Sequence, residues 1–183
     1  MAIHPTIHKA AKNGVEVIIA SAKVNDAAEL LEVARRIMNE SKHLLTQGDE
    51  FKFTVEMQEK RIRDFTEHPD GLLLLAKVGG KIVGMTDFKV SSRRRVAHQG
   101  LLGLSFLPEF VGLGLGRLLM NELISWARLN PRVETLRLEV HATNTPAVAL
   151  YEKLGFTIEG RQVRCIKHDD GTYDDALSMA LFV

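Results

Sequence analysis

Residues 99–131 hold the feature that most restricts the fold. An apolar run is stopped by proline, glycine then recurs at alternate positions, and a helical repeat follows directly. The run QGLLGLSFL (99–107) predicts a buried strand that Pro108 ends. Gly112, Gly114 and Gly116 lead into a helix from about Arg117 to Leu129, with Leu119, Leu123, Trp126 and Ala127 on one face and Asn130-Pro131 closing it. The next segment, ETLRLEV (134–140), is a second strand, so the stretch from Gln99 to Val140 is expected to be a right-handed parallel crossover.

The flanking segments supply the rest of a sheet. VEVIIA (15–20) reads as a strand, and Asn25 or Asp26 then caps a helix bearing Ala27, Leu30, Leu31, Ala34, Ile37 and Met38 at helical spacing. Thr54 caps a second helix to about Thr66. LLLLAKV and residues 81–90 form a hairpin about Gly79-Gly80, because paired glycines supply the positive φ of a two-residue connection. Thr145-Pro146 starts a helix that Gly155 ends, and strands over 156–164 and 173–181 flank an Asp169-Asp170-Gly171 turn. The fold class is therefore α/β (α+β): a mixed, mostly antiparallel sheet of about seven strands with helices on both faces. Residues 1–14 are expected to be a flexible polar lead-in to a single domain spanning 1–183.

Composition narrows the function. A chain of 183 residues with formal net charge +1 lacks the basic excess that drives phosphate-backbone binding, so no nucleic-acid partner is expected. The one cysteine, Cys165, cannot form an intramolecular disulfide. No apolar run is long enough to cross a membrane, and the first 20 residues lack the pattern of a signal peptide, so a cytoplasmic protein with no membrane partner is expected.

Two segments carry candidate chemistry. Alternating glycines over Val111, Gly112, Leu113, Gly114, Leu115, Gly116 and Arg117 let backbone N–H groups approach an anion at the positive end of a helix dipole. The same spacing also suits close strand–helix packing. Neither a P-loop nor a dinucleotide fingerprint fits, the latter because Arg117 stands where glycine is needed. In LEVHATNTPAVALYEKLGF, strand alternation puts Arg137, Glu139 and His141 on one face, near the carboxyl end where α/β sheets bind ligands. A salt-bridged patch would give the same pattern. Tyr151 shares a helical face with Ala147, Leu150 and Leu154 and reads equally as a core tyrosine; with Thr145 as cap, Asn144 is left free to bind. Arg93 to Arg95 read as a solvated loop, His4 and His8 as a tail and Cys165 as a packed thiol; no metal site is expected.

VGLGLGRLL followed by Asn144, Ala147, Tyr151, Gly155 and Phe156 resembles the two acetyl-coenzyme A motifs of the GNAT N-acetyltransferase superfamily, and the order of elements is also that of the family fold. The motifs are closest to those of the bacterial acetylases of ribosomal-protein amino termini and of amino acids. One position departs: the first polar residue of the cradle, Gln or Arg in the family, is Val111.

The resemblance implies acetyl-coenzyme A as cosubstrate and a primary amine of a small molecule, amino acid or peptide amino terminus as acceptor. It implies that backbone amides from Gly112 to Arg117 hold the pyrophosphate, that the pantetheine arm pairs near Phe106 and Leu107, and that Asn144, Ala147 and Lys153 complete the coenzyme site. Tyr151 would protonate the departing thiolate and Glu139 would act as base, with His141 or water as alternatives. The loops 41–53 and 91–97 are expected to shape the acceptor pocket. A monomer and a homodimer are both compatible with this reading. The rival is a non-catalytic coenzyme A sensor, against which the presence of both Tyr151 and Glu139 speaks.

Overall fold

The computed structural model describes residues 4–183. The strands are β1 (Ile7–Ala10), β2 (Glu16–Ser21), β3 (Gly71–Val78), β4 (Lys81–Val90), β5 (Gln99–Phe106), β6 (Thr135–His141), β7 (Thr157–Lys167) and β8 (Tyr173–Phe182). The helices are α1 (Ala27–Glu40), α2 (Val55–Thr66), α3 (Leu115–Leu129) and α4 (Thr145–Lys153). All eight strands form one sheet in the order β1-β2-β3-β4-β5-β6-β8-β7, antiparallel throughout except for the expected parallel pair β5–β6.

The leucine run of β3 explains the layering. Successive strand side chains point to opposite faces: Leu72 and Leu74 join the cluster under α3 and α4, whereas Leu73 and Leu75 join that under α1 and α2. Both faces are covered, so an unbroken apolar run is stable where alternation would leave one face wet.

Three expectations are corrected. The polar lead-in is not free chain: β1 pairs with β2 from Ile7↔Ile19 to Ala10↔Glu16, giving an eighth strand, while residues 1–3 of that segment lie outside the described residues. IHKA carries no buried alternation because an edge strand needs only backbone pairing. Second, α4 is capped by Asn144 rather than Thr145: Asn144 Oδ1 accepts from Ala147 N at 3.4 Å, and Pro146 sits in the first turn. Third, α3 starts at Leu115, two residues before Arg117, because Gly114 takes left-handed φ of +84° as its cap residue.

Leu74 is fully buried whereas Leu101 is 64% exposed. Leu74→Ala should therefore cost about 2–5 kcal/mol and Leu101→Ala less than about 0.5 kcal/mol in denaturant unfolding.

Candidate active site

Strands β5 and β6 pair over only three residues, Gln99↔Thr135 to Leu101↔Arg137. Beyond Leu101, β5 stays bonded to β4 as far as Phe106, and β6 stays bonded to β8 as far as His141. The sheet is split from there to the carboxyl ends of both strands, leaving the edge of β5 without a strand partner. Leu107 does not extend that edge: its N–H donates to Val83 O at 2.9 Å and its carbonyl accepts from Phe110 N at 2.9 Å. By strand alternation the backbone groups of Ser105 also face β4, and those of Phe106 face the open edge.

The chain then turns through Pro108 to Phe110 into the glycine segment. Gly112 and Gly114 adopt φ of +83° and +84°, where a Cβ is disfavoured. Among the described residues the N–H groups from Gly112 to Arg117 donate to no protein acceptor; the first α3 hydrogen bond runs from Leu118 N to Gly114 O at 3.2 Å. Six consecutive free donors, with no acidic side chain in the first turn, lie at the positive end of the helix dipole, an arrangement that favours an anion. A pyrophosphate suits this cradle through backbone donors alone. Gly116 serves a second purpose, since a Cβ there would meet Leu150 Cδ2 at 3.1 Å; it lets α3 close on α4. The close-packing reading of the glycines is met at Gly116. Val111 is 63% exposed.

Tyr151 is buried beside Phe156, ring centroids 5.7 Å apart, and its hydroxyl makes no hydrogen bond among the described residues. Burial pushes its pKa up to about 12, which keeps the phenol protonated at any working pH. Phe106 packs near Gly116 from β5. Ala147 lies in the first turn of α4, its N–H bonded by the Asn144 cap, and Lys153 is exposed in the last turn.

The three groups expected on one face of β6 separate in role. Arg137 is committed to Glu159 and Gln99. Glu139 is exposed and accepts from Gln162 Nε2 at 3.3 Å. His141 is buried; its Nδ1 lies 3.2 Å from Asp174 Oδ2, but off the line that a hydrogen bond requires, so both ring nitrogens lack hydrogen-bond partners. Glu139 and His141 line one cavity of about 380 Å³ with His43 and Cys165, which is exposed rather than packed. Burial, and then the charge of His141, lower the pKa of His43. Burial pushes Asp174 up, but hydrogen bonds from Thr143 and Asp175 N, with His141 nearby, prevail and lower it.

A second cavity of about 400 Å³ adjoins the first through the shared residues Met38 and Thr46. It is lined by Phe51, Phe53, Met57 and Met85 around Asp87, which is paired with Arg61 and accepts from Gly103 N at 3.1 Å. Burial raises the Asp87 pKa against the pull of Arg61. Gln58, 1% exposed, presents an unpaired Nε2 there. Sequence reasoning missed Asp87, Arg61 and Gln58. The available signal was an aspartate inside the otherwise uncharged IVGMTDF run. Loop 41–53 lines both cavities, whereas 91–97 lines neither.

The acetyltransferase (GNAT) family model matches residues 34–156. An L-amino acid N-acetyltransferase of Escherichia coli is 32% identical over 124 residues, 68% of this chain and 74% of that protein. An N-alpha-acetyltransferase of Sulfurisphaera tokodaii is 25% identical over 174 residues, 93% and 95% of the two chains. The crystal structure of a GNAT-family acetyltransferase from Streptococcus pneumoniae superposes with a TM-score of 0.88 at 33% identity, over 91% of this chain and 99% of that one. The chain belongs to the acetyltransferase (GNAT) family and is an acetyl-coenzyme A-dependent N-acetyltransferase. Among the described residues no helix is long and apolar enough to cross a membrane, and no three His, Cys, Asp or Glu side chains gather to hold a metal.

The Tyr151 environment sets a pH dependence at alkaline pH. Its folded pKa of about 12 exceeds the ordinary 10.0, so between those values the folded protein holds a proton that the unfolded chain has lost. Stability should be unaffected by this group below pH 10 and fall as pH rises toward 12, by up to ~3 kcal/mol. Comparing wild type with Tyr151→Phe by denaturant unfolding at pH 8 and pH 11 checks it: the variant should lack that part of the loss.

Proposed function

We propose that the whole chain is one acetyltransferase domain that acetylates the α-amine of an amino acid or peptide amino terminus in the cytoplasm. The observation that carries the donor half is the row of six free N–H groups at the start of α3, beside the unpaired edge of β5. Acetyl-coenzyme A, when bound, supplies an activated acetyl thioester. The residues from Gly112 to Arg117 hold its pyrophosphate, the backbone of Phe106 orients the pantetheine, and Ala147 and Lys153 flank it on α4. The side-chain oxygen of Asn144 is used in capping, which leaves its nitrogen for the ligand.

Glu139 takes the proton of the attacking amine as the C–N bond forms and the C–S bond breaks. The choice of an α-amine follows from magnitudes. Deprotonating an amine of pKa near 7.8 at pH 7 costs roughly 1 kcal/mol, against about 4.6 kcal/mol for a lysine of pKa near 10.4. A single exposed carboxylate such as Glu139 suffices for the first. The names of the amino-acid and N-alpha relatives support the same acceptor class. The Tyr151 hydroxyl donates to the departing sulfur; complete transfer from a phenol of pKa about 12 to a thiolate near 8.5 is uphill, so its contribution is chiefly a hydrogen bond to developing charge. His141 is the second candidate base, favoured by its buried, unpaired ring nitrogens beside Asp174.

Tyr151→Phe should lower kcat by roughly 10²-fold with coenzyme affinity nearly constant. Glu139→Gln should lower kcat/KM most at pH 6 and progressively less toward pH 9.5, as more amine becomes neutral unaided. A Glu139→Gln deficit constant with pH, alongside a pH-dependent deficit in His141→Gln, would transfer the base role to His141. Acetyl-coenzyme A at 100 times its Kd should stabilise the protein by about 2.7 kcal/mol, and ATP and NAD should not; equal stabilisation by a sensor that turns over no acetyl group would favour the rival reading.

A further inference from the structure

The cradle lacks the polar side chain that its family carries at the first position, where Val111 points its isopropyl group into water. A cation nonetheless reaches the cradle from another part of the chain. The turn between β1 and β2 is closed by Ala11 N to Val15 O at 2.9 Å and Gly14 N to Ala11 O at 3.0 Å, and Ala11 is buried in the core. Lys12, next in that turn, donates its N–H to Leu113 O at 3.0 Å, which ties the turn to the glycine segment itself. The Lys12 side chain then runs across Gly114: a Cβ built there would lie 3.1 Å from Lys12 Cγ, 3.4 Å from Cε and 3.5 Å from Cδ.

The charge on Lys12 is uncommitted. Its basic neighbours are paired, Lys9 with Glu122 at 3.4 Å and His8 with Glu16 at 2.8 Å, but among the described residues no carboxylate lies within ion-pair distance of Lys12. A lysine fixed at its backbone, laid along the glycine of an anion cradle and lacking a counter-charge meets the requirement for binding phosphate as a point charge. Fixing the backbone also lessens the ordering cost that a free tail would incur on binding.

We infer that Lys12, delivered by β1, is the pyrophosphate-binding cation of this enzyme and stands in for the side chain missing at Val111. The inference rests on the reading of residues 112–117 as the coenzyme pyrophosphate site. It also gives β1 a function, because the strand holds the turn that presents Lys12.

Calorimetric titration of coenzyme A and dephospho-coenzyme A into the full chain tests it. Lys12→Ala should weaken both ligands about equally, by about fivefold to tenfold, the size of a solvent-screened charge-assisted contact. Lys12→Arg should stay within about twofold of wild type, and the wild-type advantage over Lys12→Ala should shrink as salt is raised. Adding Val111→Arg to Lys12→Ala should recover part of the loss. Unchanged affinity in a Lys12→Ala variant of wild-type thermal stability overturns the inference while leaving the cradle intact. A loss seen with coenzyme A but not with dephospho-coenzyme A also overturns it, assigning Lys12 to the 3′-phosphate. Failure of the wild type to bind either ligand would overturn the cradle reading itself.

Discussion

The site depends on the left-handed backbone of Gly112 and Gly114. Because Gly114 turns the chain at φ +84°, α3 begins immediately after the glycine segment, and its first N–H groups follow those of the turn without an intervening acceptor. The donors stay unpaired beside an eight-stranded sheet and four helices. Any side chain at Gly114 would impose strain and would displace Lys12, so conformational freedom and ligand access coincide at one residue.

Around that turn the sheet provides the other half of the site by failing to close. β5 is held by β4 and β6 by β8, each pairing extending beyond the three residues that β5 and β6 share. The gap therefore costs few protein hydrogen bonds, and it faces the cradle at one end and the Glu139 and His141 cavity on β6. The second cavity, with the Asp87–Arg61 pair and the free Gln58 amide, opens against the first where α1 and the following loop meet.

Local signals in the sequence were sufficient where one segment fixed its own structure. The helical spacing of α1, the Thr54 cap, whose Oγ1 accepts from Met57 N at 3.3 Å, and the paired glycines of the β3–β4 turn are of this kind. The glycine cradle and the face shared by Glu139 and His141 were legible for the same reason. What stayed hidden depended on distant contacts. β1 is polar because an edge strand buries little, and Lys12 reaches Gly114 only because the sheet carries the β1–β2 turn to that end. Asn144 and Thr145 are both good caps by type, and geometry alone decides for Asn144. Arg61 and Asp87 sit 26 positions apart and become one feature only when α2 packs over β4.

Binding of the coenzyme phosphates by six consecutive amides is tested most directly by backbone amide spectra of the labelled protein, recorded as coenzyme A is added. The expected result is that the resonances of Gly112 to Arg117 move together, and further than those of any other contiguous segment, with one saturation curve. Saturable binding that leaves those six amides in place while shifting resonances elsewhere would contradict it.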